Sequence, residues 1–173
     1  MTALPQTTLF RLLTIDDYLA LGEFEHGYTE LLEGRLLLTP GLAPRHSRAI
    51  YRFMAELERQ LPGDLEAVPQ ADIDLELAPP DEPGFSRRPD LVVVDRSVLP
   101  RIEAAGGMIR ASEVRVVIEF LVPGAQRTVT VTKRLEYADA GIPHYWIVDL
   151  SRATGTFTTT VPFPVTIDLG RLN

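Results

Sequence analysis

The sequence predicts an α/β sandwich, with a central mixed β-sheet flanked by helices. Leu91-Val-Val-Val94 and Val114 to Leu121 are apolar on both faces and read as buried strands. Arg45 to Leu61 carries Ile50, Phe53, Met54, Leu57 and Leu61 at helical spacing, one apolar stripe for a core. The order helix, hairpin, helix, strands, helix, strand suits a layered domain.

Residues 1–13 carry little pattern and are expected to form a loose arm, with 14–173 as a single domain. Thr14 to Leu21 reads as a short helix, with Thr14 as N-cap and acids in its first turn. Tyr28 to Leu38 reads as a hairpin turning at Glu33-Gly34. After a loop from Pro40 to Pro44, the long helix presents Arg45, Arg48, Arg52 and Arg59 opposite its apolar stripe, and Pro62-Gly63 ends it. Leu65 to Leu77 reads as extended. Ala71, Ile73, Leu75 and Leu77 alternate there with Asp72, Asp74 and Glu76, the signature of a strand with one wet face. Pro79 to Pro89 holds four prolines and reads as a loop, and a polar segment with Gly106-Gly107 separates the two buried strands. Thr128 to Ala140 is expected to be a helix closed by Gly141 and Pro143, although Thr128 to Thr132 has β propensity. His144 to Asp149 reads as a further core strand and Val165 to Leu169 as a last short one.

A chain of 173 residues, 45% apolar and 24% charged, is long enough for one real core. With no cysteine, disulfides and thiolate metal sites are excluded. No apolar run approaches the roughly 20 residues of a membrane span, and the N-terminus lacks a basic-then-apolar leader pattern, so a cytoplasmic protein is expected. Seventeen basic against 24 acidic residues give a net charge of −7, which argues against non-specific nucleic-acid binding. It leaves room for a nuclease, because metal-binding carboxylates themselves add negative charge.

Glu119 interrupts an otherwise apolar strand, where a carboxylate is costly unless a cation meets it. Pro89-Asp90 opens the other buried strand, and Lys133 follows shortly after. Two acids at the start and middle of adjacent core strands suit Mg²⁺ or Mn²⁺, hard ions that keep several waters. Such an ion can activate water and neutralise charge on a scissile phosphate, with a lysine orienting the water. The plainer alternative is a structural domain whose acids are ion-paired.

Pro89-Asp90, then Val-Ile-Glu119-Phe-Leu, then Lys133-Arg-Leu-Glu-Tyr-Ala-Asp-Ala-Gly-Ile-Pro-His-Tyr-Trp-Ile-Val-Asp149 resembles the PD-(D/E)XK nuclease superfamily. More closely, it resembles the "Uma-two" branch of restriction endonucleases. The resemblance runs from about Thr14 to Asp149, and the block from Tyr137 to Asp149 is its most specific part. It implies a restriction-endonuclease-like fold and metal-dependent DNA cleavage. By position, Asp90 and Glu119 match the metal carboxylates. Leu121 replaces the superfamily lysine, and Lys133 on the following helix takes its place. Glu30 and His46 match recurrent acidic and histidine positions near the site, and Arg45, Arg48 and Arg52 are candidates for gripping DNA. Glu30 also has a simpler reading, as partner of a hairpin arginine such as Arg35. Cutting two strands with one site per chain implies a homodimer. The sequence departs from the branch where polar positions are filled by Val122 and Val129, and in a short tail that is expected to lack part of a terminal strand pair. These departures keep open a catalytically inactive nucleic-acid-binding or assembly module of the same fold.

Overall fold

The computed structural model describes residues 11–22, 27–39, 41, 43–121 and 128–172. Most of the expected arm lies outside these residues, as do Val122 and the side chain of Val129. Thr14 caps helix α1 (Ile15–Leu21): its hydroxyl accepts from the Asp17 backbone, while the Asp17 carboxylate accepts from the Thr14 backbone. Strands β1 (Tyr28–Leu32) and β2 (Arg35–Thr39) form the expected hairpin. Glu33 and Gly34 turn it with φ of 49° and 72°, the two positive values of a type I′ turn. Gly34 also has no room for a side chain, since a Cβ would lie 2.7 Å from Leu12. Helix α2 (Pro44–Glu58) is shorter at its C-terminal end than its apolar stripe suggests.

The long extended segment breaks in two. Strand β3 (Leu65–Pro69) ends at Gln70, whose φ of 52° turns the chain, and β4 (Ile73–Asp74) joins a different sheet. The proline-rich stretch is not only loop, because it contains β5 (Ser86–Arg87), both residues of which are buried. Strand β6 (Leu91–Asp95) follows. The polar connection then forms α3 (Leu99–Ala105) and β7 (Ile109–Arg110) before β8 (Val114–Leu121). A wide π-helical turn, Thr128–Lys133, leads into α4 (Arg134–Asp139), and β9 (Tyr145–Asp149) follows. The tail holds a complete antiparallel pair, β10 (Thr156–Thr159) with β11 (Val165–Asp168), so no strand of that pair is missing.

Two mixed sheets result, ordered β2-β1-β5-β4-β7 and β3-β6-β8-β9. In the second, β6 runs antiparallel to β8, while β8 and β9 are parallel. Its two faces explain the unbroken apolar runs. Leu91, Val93, Val116, Ile118 and Phe120 pack against Ile50, Phe53 and Leu57 of α2 and against Val165 and Ile167 of the tail pair. Val92, Val94, Val114 and Val117 pack on the other side against Ile73, Ile109, Tyr137 and Ile142. Trp146 lies edge-on to Phe157 and Phe163, as a core residue. Among the described residues no helix is long and apolar enough to cross a membrane.

Candidate active site

Asp90 immediately precedes β6, and Glu119 lies near the end of β8. Leu91 pairs with Ile118, so one further step of the same register sets Asp90 beside Glu119. Glu119 faces α4, where the Tyr137 hydroxyl meets it, while Asp90 stands at the end of the sheet and reaches His46 of α2. Both are buried, at 7% and 4% exposure.

Asp90 is held at both oxygens. The Phe120 backbone N–H donates to Oδ2 at 2.8 Å, and His46 Nε2 lies 2.8 Å from Oδ1. An ionised carboxylate only accepts, so Nε2 carries the hydrogen. Among the described residues, buried His46 Nδ1 has no partner. Glu119 is held at one oxygen. Lys133 Nζ at 2.8 Å and the Tyr137 hydroxyl at 3.0 Å both donate to Oε1. Among the described residues the hydrogen bonds to Glu119 all fall on Oε1.

Lys133 is buried between two acids. Its ammonium also lies 3.0 Å from Glu30 Oε1 and so bridges Glu119 and Glu30. An ammonium has three donors. Among the described residues the third has no acceptor. Glu30 does not pair with Arg35. It accepts from Arg87 at 2.7 Å and from the Arg88 backbone at 3.1 Å. The remaining Arg87 donors make a two-pronged bond to Glu136, 2.7 Å on each side. One continuous network therefore runs Glu136, Arg87, Glu30, Lys133, Glu119, Tyr137. Sequence reasoning missed Arg87, Glu136 and Tyr137. Helical spacing was the available signal for the last two, since they stand three and four residues after Lys133 on one face of α4. His46 likewise extends the buried stripe of α2 by one turn before Ile50.

Burial pushes the Glu119 carboxyl up to about 7, against the pull of Lys133 and with Asp90 adding repulsion. Burial acts the same way on Glu30, but Lys133 and Arg87 together hold it below the usual range. The Tyr137 hydroxyl is raised by burial and by Glu119, so it stays a donor.

A pH dependence follows. An unfolded glutamate ionises near about pH 4.3. Between that value and about 7, folded Glu119 keeps a proton that the unfolded chain has lost. Its stabilising contribution is complete below the unfolded value and disappears as pH rises through about 7. Replacing it by Gln removes this dependence. In metal-free urea melts, Glu119→Gln should gain on wild type by on the order of 1–3 kcal/mol between pH 5 and pH 8. A difference that does not change with pH would contradict the raised carboxyl.

Among the described residues, no three His, Cys, Asp or Glu side chains converge as a ready-made metal cage. The donor set on offer is two hard carboxylates, which suits Mg²⁺ or Mn²⁺. His46 is turned onto Asp90 and supports it. Arg45 and Arg48 are exposed on either side of His46. Arg52 is half-buried and donates to the Arg171 carbonyl at 2.8 Å, which ties the C-terminal turn to α2.

Mixed sheets flanked by helices place the protein among the restriction-endonuclease-like α/β folds. The chain belongs to the Uma2 family, described as "Putative restriction endonuclease", whose model matches residues 15–159. Among solved structures it is similar to a protein of Anabaena variabilis described as a "putative nuclease belonging to DUF820". The two share 20% identity and a TM-score of 0.61, over 90% of this chain and 84% of the other. No curated protein matches the sequence.

Proposed function

We propose that this protein is a metal-dependent endonuclease that hydrolyses DNA phosphodiester bonds. One observation carries the reading. Among the described residues, four clustered carboxylates, Glu30, Asp90, Glu119 and Glu136, meet two permanent cations, Arg87 and Lys133, and one histidine, His46. A buried excess of negative charge is costly. Either a proton on Glu119 or a divalent cation relieves it.

Asp90 and Glu119 would hold Mg²⁺ or Mn²⁺, Glu119 through Oε2. When bound, the ion supplies charge neutralisation at the phosphate and activation of water. His46 and the Phe120 N–H fix the Asp90 carboxylate, and second contacts of this kind orient ligands. The third N–H of Lys133 orients the attacking water, and its charge opposes the charge that develops on the phosphate oxygens. Water adds to phosphorus, one P–O ester bond breaks, and a proton ends on the departing oxygen. Arg45 and Arg48 meet phosphates outside the centre.

The Lys133–Glu119 and His46–Asp90 contacts also suit a second reading, in which the acids are structural ion pairs. Supercoiled plasmid separates the two. Nicking that requires Mg²⁺ or Mn²⁺, stops with EDTA and is lost in Asp90→Asn supports the nuclease. A folded wild type that leaves plasmid intact across both metals supports the second reading. Two cuts from one-site chains further call for a cytoplasmic homodimer. A monomer mass by light scattering at high micromolar concentration would refute the dimer.

A further inference from the structure

We propose, resting on the nuclease reading, that the cavity beside Tyr28 and Arg88 receives one unpaired nucleobase flanking the cut. The preferred substrate is then DNA with an unpaired nucleotide at the cleavage point. The cavity measures about 290 Å³ and is walled by Tyr18, Tyr28, Thr29, Asp72 and Arg88. That is just below the range of about 300–1,000 Å³ for ligand pockets. It suits a single ring system and excludes a base pair.

The cavity adjoins the carboxylate centre. Tyr28 stands two residues before Glu30 on β1, on the same side of the strand. The Arg88 backbone N–H donates to Glu30 Oε1, the oxygen that also meets Lys133. The Tyr28 hydroxyl, raised to about 12 chiefly by burial, also senses Lys133, Glu30, Asp90 and Glu119. A nucleotide next to a phosphate held at the acids therefore has this cavity within reach.

Its chemistry selects a neutral, planar, polar-edged guest. The Arg88 guanidinium lies 5.4 Å from the Tyr28 ring centre. Asp72 holds that guanidinium by two bonds of 2.8 and 2.5 Å. The pair makes a fixed stacking platform, which any base can use. Asp72 offsets the charge of Arg88 and repels a phosphate, while Arg88 repels a cation. A base meets neither objection, and its edge finds both donors and acceptors in the wall. A paired base would have to leave its stack and its partner to enter, whereas an unpaired one need only rotate.

The test compares two short duplexes, one fully paired and one with a single unpaired nucleotide, by fluorescence anisotropy on metal-free protein. Wild type should bind the unpaired duplex about tenfold more tightly. Tyr28→Phe should keep that preference. Tyr28→Ala should erase it, as should Tyr28→Leu, which keeps apolar bulk without the platform. Equal affinity for both duplexes, with plasmid nicking intact, overturns the cavity's role and leaves the nuclease reading standing. A preference that survives in folded Tyr28→Leu also overturns it. Failure to bind either duplex, together with no nicking, removes the nuclease reading and this inference with it.

Discussion

Arg87→Met is expected to destabilise the fold by about 3–5 kcal/mol, the usual cost of stripping one partner from a buried ion pair. Arg87 is 2% exposed, and its guanidinium donates three bonds of 2.7 Å. Methionine fills much of the space but leaves Glu136 without its guanidinium partner and Glu30 with Lys133 and the Arg88 backbone N–H. The loss is a large share of the roughly 5–15 kcal/mol that holds an ordinary domain together. A midpoint fall of about 6–20 °C corresponds to it. Adding Glu136→Leu should restore part of the loss, because a charge stranded in the interior is then gone. Urea denaturation of the two single variants and the double variant measures this coupling. A cost below about 1 kcal/mol would mean that the pair behaves like an exposed surface bridge.

Lys133→Met is expected to lower the rate of metal-dependent cleavage by about 10²–10³-fold, the range seen when one preorganised donor is removed from a developing oxyanion. The same variant should not lose metal. Taking one positive charge away from Glu119 and Glu30 makes the centre more attractive to a dication once Glu119 has ionised. Mn²⁺ affinity at pH 8 should therefore be equal or higher, while near pH 6 a proton on Glu119 competes more strongly. Calorimetric titration with Mn²⁺ at both pH values, beside single-turnover cleavage, separates these effects. Weaker Mn²⁺ binding together with slower cleavage would instead assign Lys133 to building the metal site.

The parts of the molecule legible in the sequence are those whose signal is long. The β6 and β8 runs stand out because this sheet is covered on both faces. An acid inside such a run is conspicuous for the same reason, which is how Asp90 and Glu119 come to be singled out. The α2 stripe and the Glu33-Gly34 turn are similarly direct. Arg87 was hidden because β5 has only two residues, inside a stretch rich in proline, too short to show alternation. Its importance comes from contacts with Glu30 and Glu136, 57 and 49 residues away, which no local pattern records. The division of the 65–77 segment was hidden by Gln70, a non-glycine residue at positive φ. The β10–β11 pair was half hidden because Thr156 to Thr159 is largely polar and open to solvent. The resemblance draws attention to Lys133. Its burial between two carboxylates depends on Glu30, which reaches it from the other sheet.

The most direct test of the account is where Mn²⁺ binds. Crystals grown above pH 7, where Glu119 is ionised, and equilibrated with Mn²⁺ can be read by anomalous X-ray scattering. An anomalous peak is expected between Asp90 and Glu119, with carboxylate oxygens at about 2.1 Å and water completing the shell. No peak there at saturating Mn²⁺, with Lys133 still bridging Glu119 and Glu30, would contradict it and leave the acids as structural ion pairs.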